Sequence, residues 1–249
     1  MTQLVLGMDV GGSSVKAGAV DVTNARLVGE LISAPTPQAS EPAHLIGVMK
    51  GLAARLPEAA GAVGVAFPSV VKRGRVRTAA NINAAWVGVD GAELIARALE
   101  RPAVFLNDAD AAGIAEMRWG AGRGVMGPAV MLTLGTGIGT ALFIEGRLFP
   151  NTELGHLPLH GADAEAWASA HVRTVLKLDW PAWIARVNDY LACLDKFLWP
   201  DLFILGGAVS ERFTEFASLL RSEAEIRQAH FVGEAGVIGA ALAAMEGTR

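Results

Sequence analysis

Short stretches of apolar residues, alternating or continuous, run along the chain, and each stops at a residue that favours a turn. Residues 4–10, 15–21 and 27–33 read as strands on this basis, bounded by Gly, Asp or Asn. Apolar positions at helical spacing over 43–56 predict a helix ending before Pro57. Residues 63–67 form a wholly apolar strand stopped by Pro68, and 93–99 read as helix. A strand over 104–106 runs into Asn107-Asp108, a pair suited to cap a helix over 109–119. Residues 130–134 and 140–144 read as two buried strands about a glycine turn. Residues 165–175 predict a helix, and Trp183, Val187, Tyr190, Leu191, Leu194 and Leu198 recur at helical spacing through a longer one. A strand over 202–205 precedes Gly206-Gly207, followed by a helix from about Ser210 and a last helix over 234–245. Strands and helices alternate, so the expected class is α/β.

Composition narrows the picture. The 249 residues fit one large domain or two small ones, and no Gly/Ser or Pro linker divides them; Asn107 is the candidate boundary. Residues 124–144 carry no charge and are as long as a membrane helix, but Pro128, five glycines and three threonines favour the two strands instead. The N-terminus lacks the pattern of a secretion signal. A net charge of −4 argues against a nucleic-acid or membrane-surface binder. Cys193 alone excludes a disulfide framework and a Cys-rich zinc site, and makes the cytoplasm the expected compartment.

One internal echo bears on function. Asp9-Val-Gly-Gly-Ser-Ser-Val-Lys16 and Leu134-Gly-Thr-Gly-Ile-Gly-Thr140 share the plan strand, Gly/Ser/Thr turn, strand. Glycines let backbone N–H groups approach an anion, and hydroxyls add donors. Asp9 is placed to hold a hydrated magnesium near phosphate oxygens, and Lys16 to neutralise the same charge. Neither a Walker loop nor a dinucleotide fingerprint is present, and an ordinary tight hairpin would also account for Gly-Gly. The repetition favours a two-sided phosphate clamp on two related lobes, which Gly206-Gly207 would complete. Asp108, after a buried strand, is the candidate general base for a hydroxyl nucleophile, with helix capping as the alternative for Asn107 or Asp108. Glu153 and His156 flank a glycine and suit neighbouring sugar hydroxyls, unless they serve as a cap and a core histidine. Zinc is not expected, since no Cys lies near and His160 alone gives no ligand spacing. Lys72-Arg73-Gly74-Arg75-Val76-Arg77 is the one strongly basic run: a solvated hairpin, or a surface that steers a polyanion.

Taken in order, Asp9-x-Gly-Gly-Ser-x-x-Lys16, Asn107-Asp108-Ala-Asp110-Ala, Leu134-Gly-Thr-Gly-Ile-Gly139, Glu153-x-Gly-His156 and Leu205-Gly-Gly207 resemble the ROK family of sugar kinases. Within it, Thr78-Ala-Ala-Asn-Ile82 with Trp86, Pro150-Asn-Thr-Glu-Leu-Gly-His156, Asp163-Ala-Glu165 and Trp199-Pro-Asp-Leu-Phe-Ile204 are similar to segments of the polyphosphate-using glucokinases. The resemblance implies a two-lobed, actin-like ATPase (ribonuclease H-like) fold with a cleft between lobes: an N-terminal lobe over 1–107, a C-terminal lobe over 108–233, and a helix within 234–249 packing back on the first. It implies phosphorylation of glucose at O6 from inorganic polyphosphate or ATP, magnesium without structural zinc, and a homodimer. By position Asp108 matches the base. Asn107, Glu153, His156 and Glu165, with Asn81 as a further candidate, match sugar ligands. Gly11, Gly12, Ser13, Lys16, Thr136, Gly137, Gly206 and Gly207 match the donor side, and Asp9 the magnesium ligand.

The departures are specific. Gly161-Ala-Asp-Ala-Glu165 replaces the broader family's Cys-rich zinc motif, as in the polyphosphate users. Ser69 stands where a Pro-Gly pair is usual, Ala208 replaces a third glycine, and 172–178 carries fewer basic residues than a polyphosphate track would. Alternatives are an ATP-dependent kinase for mannose or an N-acetylated sugar, and a sugar-sensing regulator. Only eight residues precede Asp9, too few for the helix-turn-helix of such regulators.

Overall fold

A computed structural model describes residues 4–59 and 61–247. It divides into two compact units, one running up to Ala115 and resumed from Glu234, the other Glu116–Gly233.

In the first unit, β1 (Leu4–Val10), β2 (Ser14–Asp21) and β3 (Arg26–Pro35) form an antiparallel meander. After α1 (Pro42–Ala53) come β4 (Val63–Phe67), the small hairpin β5 (Val71–Lys72) and β6 (Arg75–Val76), α2 (Gly91–Leu99), β7 (Ala103–Asn107) and α3 (Asp108–Trp119). The sheet order is β3-β2-β1-β4-β7, with β4 parallel to both β1 and β7. Strand alternation assigns its two faces. Leu6, Met8, Val10, Val63, Val65 and Phe67 bury one face against Leu45, Met49 and Leu52 of α1, with the rings of Phe67, Trp86 and Phe105 clustered at its end.

The second unit opens with β8 (Ala129–Leu134), β9 (Ile138–Ile144) and β10 (Arg147–Phe149), again an antiparallel meander. The uncharged 124–144 stretch is therefore two strands, and no helix among the described residues is long and apolar enough to cross a membrane. There follow β11 (Pro158–Leu159), β12 (Ala162–Asp163), α4 (Ala164–Ala168), α5 (Ala170–Val175), α6 (Trp180–Leu198), β13 (Leu202–Gly206) and β14 (Glu225–Gln228). The order β10-β9-β8-β13-β14 repeats the first sheet's plan, a meander followed by two parallel strands. Val130, Leu132 and Leu134 pack on Trp183, Val187, Leu191 and Leu194 of α6, the stripe the sequence predicts.

The last helix, α7 (Ala235–Gly247), rejoins the first unit. It lies on the other face of the first sheet so closely that a Cβ on Gly7 or Gly64 would fall 2.0 Å from Val237 O or 1.8 Å from Ala240 O. Only glycine admits this backbone-to-backbone packing.

Three expectations are corrected. The helix expected over 165–175 breaks in two, because Ser169 is extended (ψ 157°) and caps α5 through Val172 N–H. Trp183 Nε1 donates to the carbonyls of Ala168 and Ser169 at the break. The helix expected from Ser210 is instead a kinked 3-10 segment, Ala208–Glu215. The units part within α3, eight residues beyond the boundary expected at Asn107.

Candidate active site

In the first unit β1, β4 and β7 run parallel, with Asp9 opposite Ala66 and Phe67 opposite Asn107, so the segments leaving them share one carboxyl edge of the sheet. The Gly11–Ser14 turn is braced by Gly11 N–H donating to Ser14 O (2.9 Å). Thr36 adds its Oγ1 donating to Gly11 O (2.6 Å) and its N–H to Ser13 O (3.1 Å). Gly12 and Ser13 stand exposed at the tip. Asp9 and Lys16 are cross-strand partners. A Cβ on Gly236 would fall 2.7 Å from Asp9 Cγ, so this carboxyl sits against the first turn of α7. Burial pushes its pKa up, and the Lys16 charge pulls it back only in part.

Asn107 realises the capping alternative: its Oδ1 accepts Asp110 N–H at 3.0 Å, and its Nδ2 donates to Ser69 O at 3.1 Å. Asp108 follows as the first residue of α3, partly exposed, with Oδ1 accepting Ala109 N–H at 2.9 Å. Asn81 lies exposed in the loop after β6.

In the second unit the turn between β8 and β9 is held from outside. His171 N–H donates to Gly135 O (3.0 Å), Ile138 N–H donates to Glu165 Oε2 (3.1 Å), and Gly135 N–H closes on Gly137 O (3.0 Å). The Gly135 and Ile138 amides are thus occupied by the protein itself, while Thr136 is exposed at the tip. The Glu153–His156 turn is pressed onto β9: a Cβ on Gly155 would lie 2.3 Å from Ile138 O, and Thr140 Oγ1 donates to Thr152 O and accepts Leu154 N–H. His156 Nδ1 lies 2.8 Å from Asp163 Oδ2 and 3.9 Å from Glu165 Oε1, and its Nε2 lies 3.6 Å from Glu153 Oε2. The Asp163 hydrogen bond raises the His156 pKa above its ordinary value; partial burial opposes it and the neighbouring carboxylates add to it. Burial raises that of Glu153, against the pull of His156.

Glu153, His156 and Glu165 are therefore brought together, and Asp163 joins them. Sequence spacing did not single out Asp163, because its approach depends on the β11–β12 hairpin folding back through His160 and Gly161, both at positive φ. Among the described residues His156, Asp163 and Glu165 are also the one group of three His, Cys or acidic side chains with ligand atoms within 4.8 Å. At the end of β13, Gly207 (φ 83°) makes the turn, and Ser210 donates to its carbonyl through both N–H (3.0 Å) and Oγ (2.7 Å).

Two sheets of one strand order, each with a glycine hairpin between its first antiparallel strands, define a duplicated α/β phosphotransferase of the actin-like ATPase fold. The chain belongs to the ROK family, whose sequence model matches residues 5–170. It is 41% identical over 249 residues to a polyphosphate glucokinase of Mycobacterium tuberculosis (strain CDC 1551 / Oshkosh), covering 97% of this chain and 91% of that one. The crystal structure of an inorganic polyphosphate/ATP-glucomannokinase from Arthrobacter sp. strain KM matches with a TM-score of 0.94 and 40% identity, covering 98% and 99% of the two chains. A ROK family glucokinase from Streptomyces griseus, solved with glucose and AMPPNP, shares the fold at 23% identity (TM-score 0.81, 98% and 99% covered).

Proposed function

We propose that this enzyme transfers a phosphoryl group from inorganic polyphosphate, with ATP as a second donor, to the 6-hydroxyl of glucose. The likeness to polyphosphate glucokinase over nearly the full length of both chains carries the reading. In it, Glu153, His156 and Glu165 receive the sugar hydroxyls, joined by Asn81 and by the remaining Nδ2 hydrogen of Asn107. Asp108 takes the O6 proton as the oxygen attacks phosphorus, and the departing oxygen leaves with the shortened polyphosphate or ADP. Gly12, Ser13 and Lys16 supply donors to the phosphates, Gly11 shaping their turn with its amide held by Ser14 O, and Thr136, Gly137, Gly206 and Gly207 are the further donor-side residues.

Asp9 fits a magnesium ion. Its carboxyl is desolvated and the Lys16 charge offsets this in part, an imbalance that a hydrated cation corrects. When bound, magnesium neutralises charge on the donor phosphates. The likeness to the Arthrobacter glucomannokinase favours mannose as a further acceptor. The reading includes a cytoplasmic homodimer, supported by the single cysteine and by the exposed Phe197 and Trp199 at the end of α6.

The test is glucose 6-phosphate formation with magnesium, comparing polyphosphate and ATP. Preferential use of polyphosphate supports the donor assignment, and activity with ATP alone refutes it while keeping Asp108. No product with glucose or mannose refutes the kinase reading.

A further inference from the structure

The β5–β6 hairpin carries Lys72, Arg73, Arg75 and Arg77, four cations within six residues of a chain whose net charge is −4. Arg75 is tied down, donating to Gly88 O at 2.6 Å and meeting Asp90 Oδ2 at 3.4 Å. Lys72, Arg73 and Arg77 are exposed, and none is ion-paired among the described residues. The backbone beneath them is fixed. Gly74 O accepts the amides of Gly91 (2.8 Å) and Ala92 (3.3 Å), Val76 exchanges hydrogen bonds with Val89 and Gly88, and Val71 and Val76 are buried below. Cations presented on a fixed backbone lose less entropy on capturing an anion than cations on a mobile loop.

The root of the hairpin lies at the carboxyl edge that holds the base. Ser69 O accepts Asn107 Nδ2, Ser69 Oγ donates to Thr78 O (2.9 Å), and Val70 N–H donates to Thr78 Oγ1 (3.0 Å). The hairpin therefore leaves from the end of β4, and it is β4 whose sheet neighbours, each about 4.8 Å from it, are β1 with its Gly11–Ser14 turn and β7 with Asp108.

We propose that this hairpin is a polyanion subsite of the same reaction, taking distal phosphates of a long inorganic polyphosphate through Lys72, Arg73 and Arg77. The inference rests on the donor reading above and extends it. A short donor engages the glycine turns alone, whereas a long chain also reaches the hairpin. Each exposed contact is weak, and the gain comes from several made by one tethered ligand.

The test compares K72Q/R73Q/R77Q with K50Q/R55Q/K196Q, which removes the same charge from exposed positions outside the hairpin. Binding of long-chain polyphosphate by fluorescence anisotropy and KM for long-chain polyphosphate and tripolyphosphate are measured at several salt concentrations. The hairpin variant should weaken long-chain binding and raise its KM about tenfold. Its salt slope should fall by about 2 to 3. Tripolyphosphate KM and glucose affinity should stay within about twofold, since no charge is altered at the glycine turns. Equal effects from both variants, no effect from either, or equal displacement of polyphosphate by single-stranded RNA of matched charge would each overturn the subsite. A wild-type enzyme that neither binds nor uses long polyphosphate would instead overturn the donor reading, and the subsite with it.

Discussion

Glu165 touches both the glycine turn of the second unit and its histidine–carboxylate group, and Glu165→Gln tests whether that double contact couples donor to sugar. The glutamine keeps the shape and an oxygen for Ile138 N–H, which now donates at 3.1 Å to a carboxylate. Exchanging a charged acceptor for a neutral one weakens such a bond by about 1 kcal/mol. At 3.9 Å from His156 Nδ1 the lost attraction is about 4 kcal/mol for an effective dielectric near 20. The two side chains are 33% and 46% exposed, so solvent reduces this to about 1 kcal/mol or less. Either contribution alone is worth roughly fivefold. Donor KM, from steady-state kinetics at saturating glucose, and glucose Kd, from calorimetry, should therefore each rise by about fivefold. Glu153→Gln, whose carboxylate faces His156 and not the turn, should move glucose Kd alone. A Glu165→Gln enzyme with weakened glucose binding but donor KM within twofold of wild type would refute the coupling.

Asp108→Asn should keep glucose binding and lower kcat by about 10²- to 10⁴-fold; near-normal turnover removes the base assignment. Gly155→Ala drives a methyl into Ile138 O and should cost about 1–3 kcal/mol, read as a lower Tm together with weaker glucose binding. The raised His156 pKa stabilises the fold fully below the unfolded value of about 6.5, and this is lost as pH rises through the folded value. Tm should decline across that interval in wild type, and the decline should shrink in Asp163→Asn. Asp9→Asn should raise Tm in magnesium-free buffer by removing a desolvated carboxylate, and should abolish any rise in Tm that magnesium gives the wild type.

Both glycine hairpins were legible in the sequence because strand alternation on either side of Gly/Ser/Thr leaves few other readings, and their likeness foreshadowed the repeated sheet order. Glu153, His156 and Glu165 were legible through a motif, but their arrangement was not. Asp163 comes within 2.8 Å of His156 only because a six-residue hairpin closes between them. The break at Ser169 escaped the periodicity because apolar spacing continues through it; what decides it is Trp183, fourteen residues on, donating to the carbonyls that the break exposes. The bracing of the first turn by Thr36 is likewise a contact between residues far apart in the chain, invisible to local pattern.

The placement of α7 has a consequence for the order of assembly. The second unit is one uninterrupted stretch, and every strand of its sheet leaves the ribosome before α7 does. The first unit, begun earlier, obtains the helix that covers the glycine-lined face of β1 and β4 only after the second has been made. The second unit therefore has its whole chain available during synthesis before the first unit has its own. Closing the first unit brings Gly7 against Val237, a contact between residues far apart in the chain, the kind that slows folding most.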